Sequence, residues 1–261
     1  EVGYKFSPKK VKVKVDKDLS YLFGLLMGDG CILSIKRDII LSSVDESLLD
    51  FFKSYGRKLG SNVFKKGGKR KNCDWIMVNK PFALLLVLLG FKVGKKSHNV
   101  FIPDIFFKDK TVLRQLLRGL FDADGTASGG VIEYSTRSEK LMRSLLTSLL
   151  IFGIYPNIKE KYVKGVKYYR IFILNSQDKR TFLTKIGFSL RRKQEELRAG
   201  IKETNHNLDI IPGIRNLIKR CRYELNVSYS RDRDFRIYES YIYGFRNPSR
   251  ERLKSLIANF K

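Results

Sequence analysis

Two aspartates, Asp29 and Asp124, each close an apolar stretch and each precede a glycine: "GLLMGDG" at 24–30 and "GLFDADG" at 119–125. Both stretches begin with glycine and an apolar pair and end with a small residue, the acid and a second glycine, and the acids lie 95 residues apart. If each stretch ends a helix, its acid sits where the helix macrodipole is already negative, and two such carboxylates brought together repel. A divalent cation with an oxygen preference offsets that charge. Mg²⁺ held by one or two carboxylates acts on phosphates, so the chemistry indicated is metal-assisted hydrolysis of a phosphodiester. Asp122 stands two residues before the second acid, where the first copy has Met27, so that position is not required for the chemistry and Asp122 is expected to be structural.

The other reactive side chains are few. His98 and His206 are the only histidines, too few for a histidine-rich metal site. Cys31, Cys73 and Cys221 are odd in number, far apart and outside metal-ligand spacing, which implies neither a disulfide framework nor a zinc site and suits a reducing compartment.

The elements that must hold the acids are encoded in the same stretches. "DLSYLFGLLMGDG" reads as a helix starting near Asp18 or Ser20, with Gly30 just past its end in the left-handed conformation that glycine tolerates. "TVLRQLLRGLFDADG" repeats it, with Gly125 in the same place. Gly24 with Gly28, and Gly119 with Ala123, sit four apart and so share a face on each helix; such small pairs let two backbones approach. Packing those faces together brings Asp29 to Asp124.

The segments after the two stretches also repeat one another. Each has two strands, the second ending in Ser42-Ser43 or Ser135-Thr136, then a helix, two more strands around a glycine-bearing turn, and an apolar helix ending at Gly90 or Gly187. The fold class expected is α+β: two αββαββα units with curved antiparallel sheets, related by a pseudo-twofold axis, plus a small helical C-terminal domain. The divisions fall at residues 1–105, 106–205 and 206–261. In the last part, "IPGIRNLIKRCRYEL" and "NPSRERLKSLIANF" look helical, the second with Asn247 as N-cap and Pro248 at the first helical position.

Composition names the partner. With 52 Lys and Arg against 26 Asp and Glu, a formal charge of +26, the chain calls for a polyanion, and nucleic acid is the default. A membrane surface is disfavoured because the charge is spread along the chain rather than gathered on one amphipathic helix or tail. The longest apolar run, "FALLLVLLGF" at 82–91, is too short to span a bilayer, and no signal-peptide pattern opens the sequence. Localisation is expected to be cytoplasmic in a prokaryote, or organellar, and not secreted.

The two stretches resemble the LAGLIDADG motif, and residues 18 to 200 resemble a single-chain, double-motif LAGLIDADG homing endonuclease; the first copy departs at Phe23, Met27 and Gly28. The resemblance implies that the motif helices form the interface between repeats and that Asp29 and Asp124, with the adjoining Gly28 and Ala123, form the metal site. It implies Mg²⁺ as cofactor, with Mn²⁺ or another divalent cation able to substitute. It further implies double-stranded DNA with a long target as partner, sheets lying along the major groove, and a monomer that acts as a pseudo-dimer, cutting both strands across the minor groove to leave short 3′ overhangs. "GKKSHNVFIPD" resembles the segment that joins the repeats in the intein-encoded branch, and "FSLRRKQEEL" occupies the corresponding place in the second half; the family's basic residue near the scissile phosphate makes Lys96 and Lys193 the catalytic lysine candidates, with Lys95 and Arg191 as rivals. Ser43 and Thr136 match a polar position that helps to organise water. "NLDIIPGIRNLI" resembles the segment after the second repeat in archaeal intein endonucleases, yet no terminal splicing residues are seen at Glu1 or in "ANFK", so intein and intron origins both stay open. An RNA maturase that assists intron splicing and a non-enzymatic DNA-binding regulator are the alternatives; retention of both acids argues against the second and mildly against the first.

The DNA-binding candidates lie on strands and turns: Lys36, Arg37, Lys65, Lys66, Lys69, Arg70 and Lys71 in the first half, Lys159, Lys161, Lys164, Lys167 and Arg170 in the second. Alternation in "VKYYRIFIL" gives one apolar face to pack on helices and leaves the other for base edges or phosphates.

Overall fold

The computed structural model describes residues 14–66, 74–94, 98–201, 210–224 and 235–258. They fall into two compact units, Glu1–Leu174 with Asp178–Lys202, and Asn175–Gln177 with Glu203–Lys261.

In the larger unit the first repeat runs α1 (Lys17–Asp29), β1 (Gly30–Ile32), β2 (Ile39–Ser42), α2 (Glu46–Lys58), β3 (Asn62–Lys65), β4 (Asp74–Val78) and α3 (Lys80–Leu88). The second runs α4 (Lys110–Asp124), β5 (Ile132–Thr136), α5 (Glu139–Ile151), β6 (Asn157–Val163), β7 (Val166–Ile173), α6 (Ser176–Lys185) and α7 (Arg191–Gly200). A 3₁₀ turn at Asp104–Lys108 precedes α4. Both sheets are antiparallel, ordered β1-β2-β4-β3 and β5-β7-β6. The α+β class with two sheet-bearing repeats is therefore as expected.

Helix α1 is apolar around its whole circumference, with nine consecutive residues from Leu19 to Met27 buried, which is the pattern of a helix enclosed on every side. Its enclosure comes from α4, and one continuous apolar core runs from Leu22 and Leu26 through Leu116 and Leu120 to Phe182. The helix starts earlier than expected. Asp16, not Asp18 or Ser20, is the N-cap, its Oδ1 accepting from the Leu19 N–H at 2.8 Å, while Ser20 lies a turn inside and its hydroxyl donates to the Asp16 carbonyl.

The terminal glycines also differ from expectation. Gly30 and Gly125 are extended, with φ of −106° and −78°, and not left-handed. Their requirement is space: a Cβ on Gly30 would stand 2.6 Å from the Leu26 Cα, and one on Gly125 2.6 Å from the Phe121 carbonyl oxygen. Each glycine thus lets the chain fold back hard against the helix it has just left.

The second repeat lacks a full counterpart of β1. A single bridge, Thr126 to Glu133, stands in its place, with a 3₁₀ turn at Ser128–Gly130 between its two ends. Gly129 and Gly130 both have positive φ, which breaks the ladder, and the turn packs backbone to backbone on Gly200 at the end of α7.

The smaller unit contributes α8 (Arg215–Glu224), α9 (Phe235–Ile242) and α10 (Arg250–Ala258), with Ile218 and Ile242 buried together. Helix α10 begins after Ser249, whose hydroxyl accepts from the Arg252 N–H at 3.2 Å, so Asn247 is not its cap. The Pro248 carbonyl is taken by the Ile211 N–H and Ser249 bridges Ile210, which holds 248–249 extended and delays the helix.

Candidate active site

The site forms where α1 and α4 cross. A Cβ on Gly24 would fall 2.0 Å from the Leu116 carbonyl oxygen, and one on Gly119 would fall 2.2 Å from that of Tyr21. These contacts are mirror images, because Gly24 matches Gly119 and Tyr21 matches Leu116, so the two backbones meet around a local pseudo-twofold axis. One turn later a Cβ on Gly28 would lie 2.5 Å from the Ala123 Cβ and 3.2 Å from Asp124 Oδ2. The Ala123 methyl therefore occupies the space that a side chain before Asp29 would fill, and the Asp124 carboxylate borders it.

Three further groups surround this pair. The Tyr134 hydroxyl, on β5 and 2 % exposed, donates to Asp124 Oδ2 at 3.3 Å. Burial pushes the Tyr134 hydroxyl well above its ordinary value, reinforced by Asp124 and, less, by Asp29, so it stays a donor at any working pH and both acids lie within electrostatic reach of it. The second group is Lys193 on α7. Its ammonium is buried and donates to the carbonyls of Asp122 and Gly125 at 2.6 Å each, of Phe121 at 3.1 Å and of Ala123 at 3.4 Å. It thus caps the α4 C-terminus and places positive charge against the dipole end that bears Asp124. Burial pulls its pKa down, against the attraction of Asp122 and, less, of Asp45 and Asp29.

The third is Asp122, 1 % exposed. It accepts from the Tyr21 hydroxyl at 2.7 Å across the helix interface and from the backbone N–H groups of Ser189 at 3.0 Å and Leu190 at 3.4 Å. Burial raises its pKa, partly offset by those donors. Asp122 ties α1, α4 and the start of α7 together, which is the structural part expected of it.

The donor set suits a small, hard cation. It consists of oxygens alone: carboxylates on two adjoining helix tips, with helix-end carbonyls beside them. Among the described residues no group of three or more His, Cys, Asp and Glu side chains is gathered for a metal. Further ligands would come from backbone, water and substrate, the usual form for Mg²⁺.

The remaining candidates are spread over the sheets and their turns. Lys159, Lys161 and Arg170 share the open face of the β5-β7-β6 sheet, Lys159 in register with Arg170 and Lys161 with Tyr168. Lys167 is on the other face, paired with Glu160 at 2.6 Å and over the Tyr169 ring. Lys164 has φ of 49° in the two-residue turn before Gly165, and Lys36 and Arg37 are in the turn between β1 and β2. Lys65 aligns with Trp75, whose ring receives Lys53 of α2, while Lys66 stands 3.8 Å from Asp74. Ser43 and Thr136 are buried, their hydroxyls accepting from the N–H groups of Asp45 and Ser138. Arg191 is exposed and pairs with Glu195. Lys69, Arg70, Lys71, Cys73, Lys95, Lys96 and His206 lie outside the described residues. Tyr134 went unread because its strand shows only alternation, and the first repeat has Leu41 at the matching place.

Comparison with known proteins agrees with this architecture. The LAGLIDADG-like domain family matches residues 111–187. The chain is 34% identical over 221 residues to the replication factor C small subunit of Methanocaldococcus jannaschii, covering 83% of this chain and 12% of that protein. It is 30% identical over 262 residues to the probable translation initiation factor IF-2 of the same organism, covering 94% and 21%. It is also 30% identical over 217 residues to the replication factor C small subunit of Thermococcus kodakarensis, covering 82% and 25%. The chain thus spans a quarter or less of these relatives' length. Among solved structures, mesophilic variants of the homing endonuclease I-DmoI superpose with a TM-score of 0.54 at 15% identity, over 71% of this chain and 98% of theirs. I-DmoI in complex with DNA and Ca gives the same TM-score at 14% identity and the same coverage. Full-length DUF199/WhiA gives 0.51 at 17% identity, over 83% of this chain and 70% of that one. With two motif helices crossing at paired glycines, the chain carries a LAGLIDADG-like domain at residues 111–187 and has the fold of the homing endonuclease I-DmoI.

Proposed function

We propose that the chain is a site-specific, divalent-metal-dependent DNA endonuclease that cuts both strands of a long duplex target across the minor groove, leaving short 3′ overhangs. The observation that carries this reading is the contact of Gly28 with Asp124, which joins the tip that bears Asp29 to the second carboxylate. Asp29 and Asp124, with Gly28 and Ala123 beside them, are the residues that would hold Mg²⁺, or Mn²⁺ in its place. When bound, such a cation neutralises phosphate charge and acidifies water. The chain's own residues prepare the place: Tyr134 orients the Asp124 carboxylate, and Lys193 fixes the end of α4. Lys96 is the matching candidate in the first half.

The repeats, 1–105 and 106–205, would act as the two halves of one nuclease monomer, each reading one half of the target, with 206–261 as an appended helical part. An excess of 26 positive charges supports a phosphate-rich partner. The same stretch recurs as a minor part of two functionally unlike proteins, a replication factor C small subunit and an initiation factor, which supports an origin as an inserted, intein-type element.

The test is cleavage of a plasmid carrying the uninterrupted insertion site, with Mg²⁺ and with EDTA. Asp29→Asn and Asp124→Asn should each abolish double-strand cleavage while binding persists. Full cleavage by either variant, or by the wild type in EDTA, would sink the assignment.

A further inference from the structure

On the open face of the second sheet, Arg170 is held from two sides. The opposite face of β7, through Tyr169, Ile171 and Ile173, is buried against helices, so Arg170 and Phe172 face outward. Glu133, diagonal to Arg170 across β5, accepts from its Nε at 2.5 Å and its Nη2 at 2.8 Å, and the guanidinium lies 4.7 Å from the Phe172 ring centre. A guanidinium has five N–H donors, and this side-on pair uses two. The end-on pair, one hydrogen on Nη1 and the second on Nη2, is left in a fixed plane. Two parallel donors at that spacing match the O6 and N7 acceptors of guanine in the major groove. The same fork can also grip a phosphate, but here it stands on the outward face of a strand, beside Phe172, where base edges are read.

The matched place in the first sheet is chemically inverted. Register pairs Ser135 with Arg170 in one sheet and Ser42 with Asp74 in the other. Asp74 accepts from the Ser42 hydroxyl at 2.7 Å and can only accept, so it suits a base that offers an amino group.

We infer that Arg170, buttressed by Glu133 and Phe172, is a base-reading residue that selects guanine at one step of one half-site, and that Asp74 selects cytosine or adenine at the matched step of the other. The inference rests on the proposed DNA endonuclease reading and adds the chemistry of its target: the recognised sequence is not palindromic at this step.

The experiment is selection of duplexes from a random pool by the wild-type chain, Arg170→Ala, Arg170→Lys and Glu133→Gln, with melting temperatures recorded for each. The wild type should enrich a site with guanine at one position. Arg170→Ala and Arg170→Lys should flatten that position alone by roughly 10- to 100-fold, the range for a lost bidentate base contact. Arg170→Lys keeps the charge, so its affinity for duplexes without that guanine should persist. Glu133→Gln should keep the guanine preference, weakened severalfold. If Arg170→Lys leaves every base preference intact, or Arg170→Ala weakens all sequences equally, the base-reading role is overturned while the nuclease reading stands. If the wild type enriches no site at all, both fall together.

Discussion

Replacing Gly24 with alanine sets two effects of opposite sign against each other. In an exposed helix the change stabilises by about 1 kcal/mol, because alanine is the better helix former. Here the added Cβ would sit 2.0 Å from the Leu116 carbonyl oxygen, where ordinary contact begins at 3.4 Å, and the obstacle is backbone with no rotamer to escape into. Helices α1 and α4 must then separate by about 1.4 Å. Overpacking of this kind costs about 1–3 kcal/mol and is expected at the upper end, leaving a net loss of about 2 kcal/mol. For a unit of this size that lowers the thermal midpoint by roughly 4–8 °C. The same separation moves the helix tips that carry Asp29 and Asp124, and a misplacement of about 1 Å costs on the order of 100-fold in rate. Calorimetry and single-turnover cleavage on the same preparation measure both. A raised midpoint with full activity for Gly24→Ala would refute the close-approach account of the site.

Two other perturbations probe the network beneath the acids. Burial raises the pKa of Asp122, so its neutral form is favoured on folding and its contribution to stability grows as pH falls from the raised folded value toward the ordinary 3.8. The stability of the wild type relative to Asp122→Asn should therefore rise as pH is lowered from neutrality toward 3.8, and a pH-independent difference would contradict the burial argument. Lys193→Met should lower stability by about 2–3 kcal/mol by leaving the α4 carbonyls without their donor, read by denaturant unfolding; an unchanged midpoint would show that the cap is dispensable.

Much of this arrangement was legible because it depends on backbone approach, which only small residues allow: Gly24, Gly28, Gly119 and Ala123 at fixed spacing could be read as an interface directly. The acids were legible because each lies a fixed step beyond that face. Side-chain partners from distant segments were not. Nothing local in "RRKQEEL" shows that Lys193 reaches back to the carbonyls of Phe121, Asp122, Ala123 and Gly125, and nothing in "FDADG" shows that Asp122 meets Tyr21, a contact 101 residues away. Helix boundaries failed where a competing local bond intervened, as at Asp16 and at Ser249. The left-handed expectation at Gly30 failed because a crowded chain reversal, like a positive φ, admits only glycine, and sequence does not separate the two. Helix α9 escaped notice because "FRIYESYI" mixes basic and aromatic residues that read equally well as a surface.

The bond from Tyr21 to Asp122 joins two residues whose counterparts, Leu116 and Met27, are both apolar. A dimer built from two copies of the second half would seat each Asp122 against leucine, and one built from two copies of the first half would leave each buried tyrosine hydroxyl facing methionine. The halves have become obligate complements: any symmetrised descendant must first re-equip its own seam, by Leu116→Tyr in the one case or Tyr21→Phe in the other.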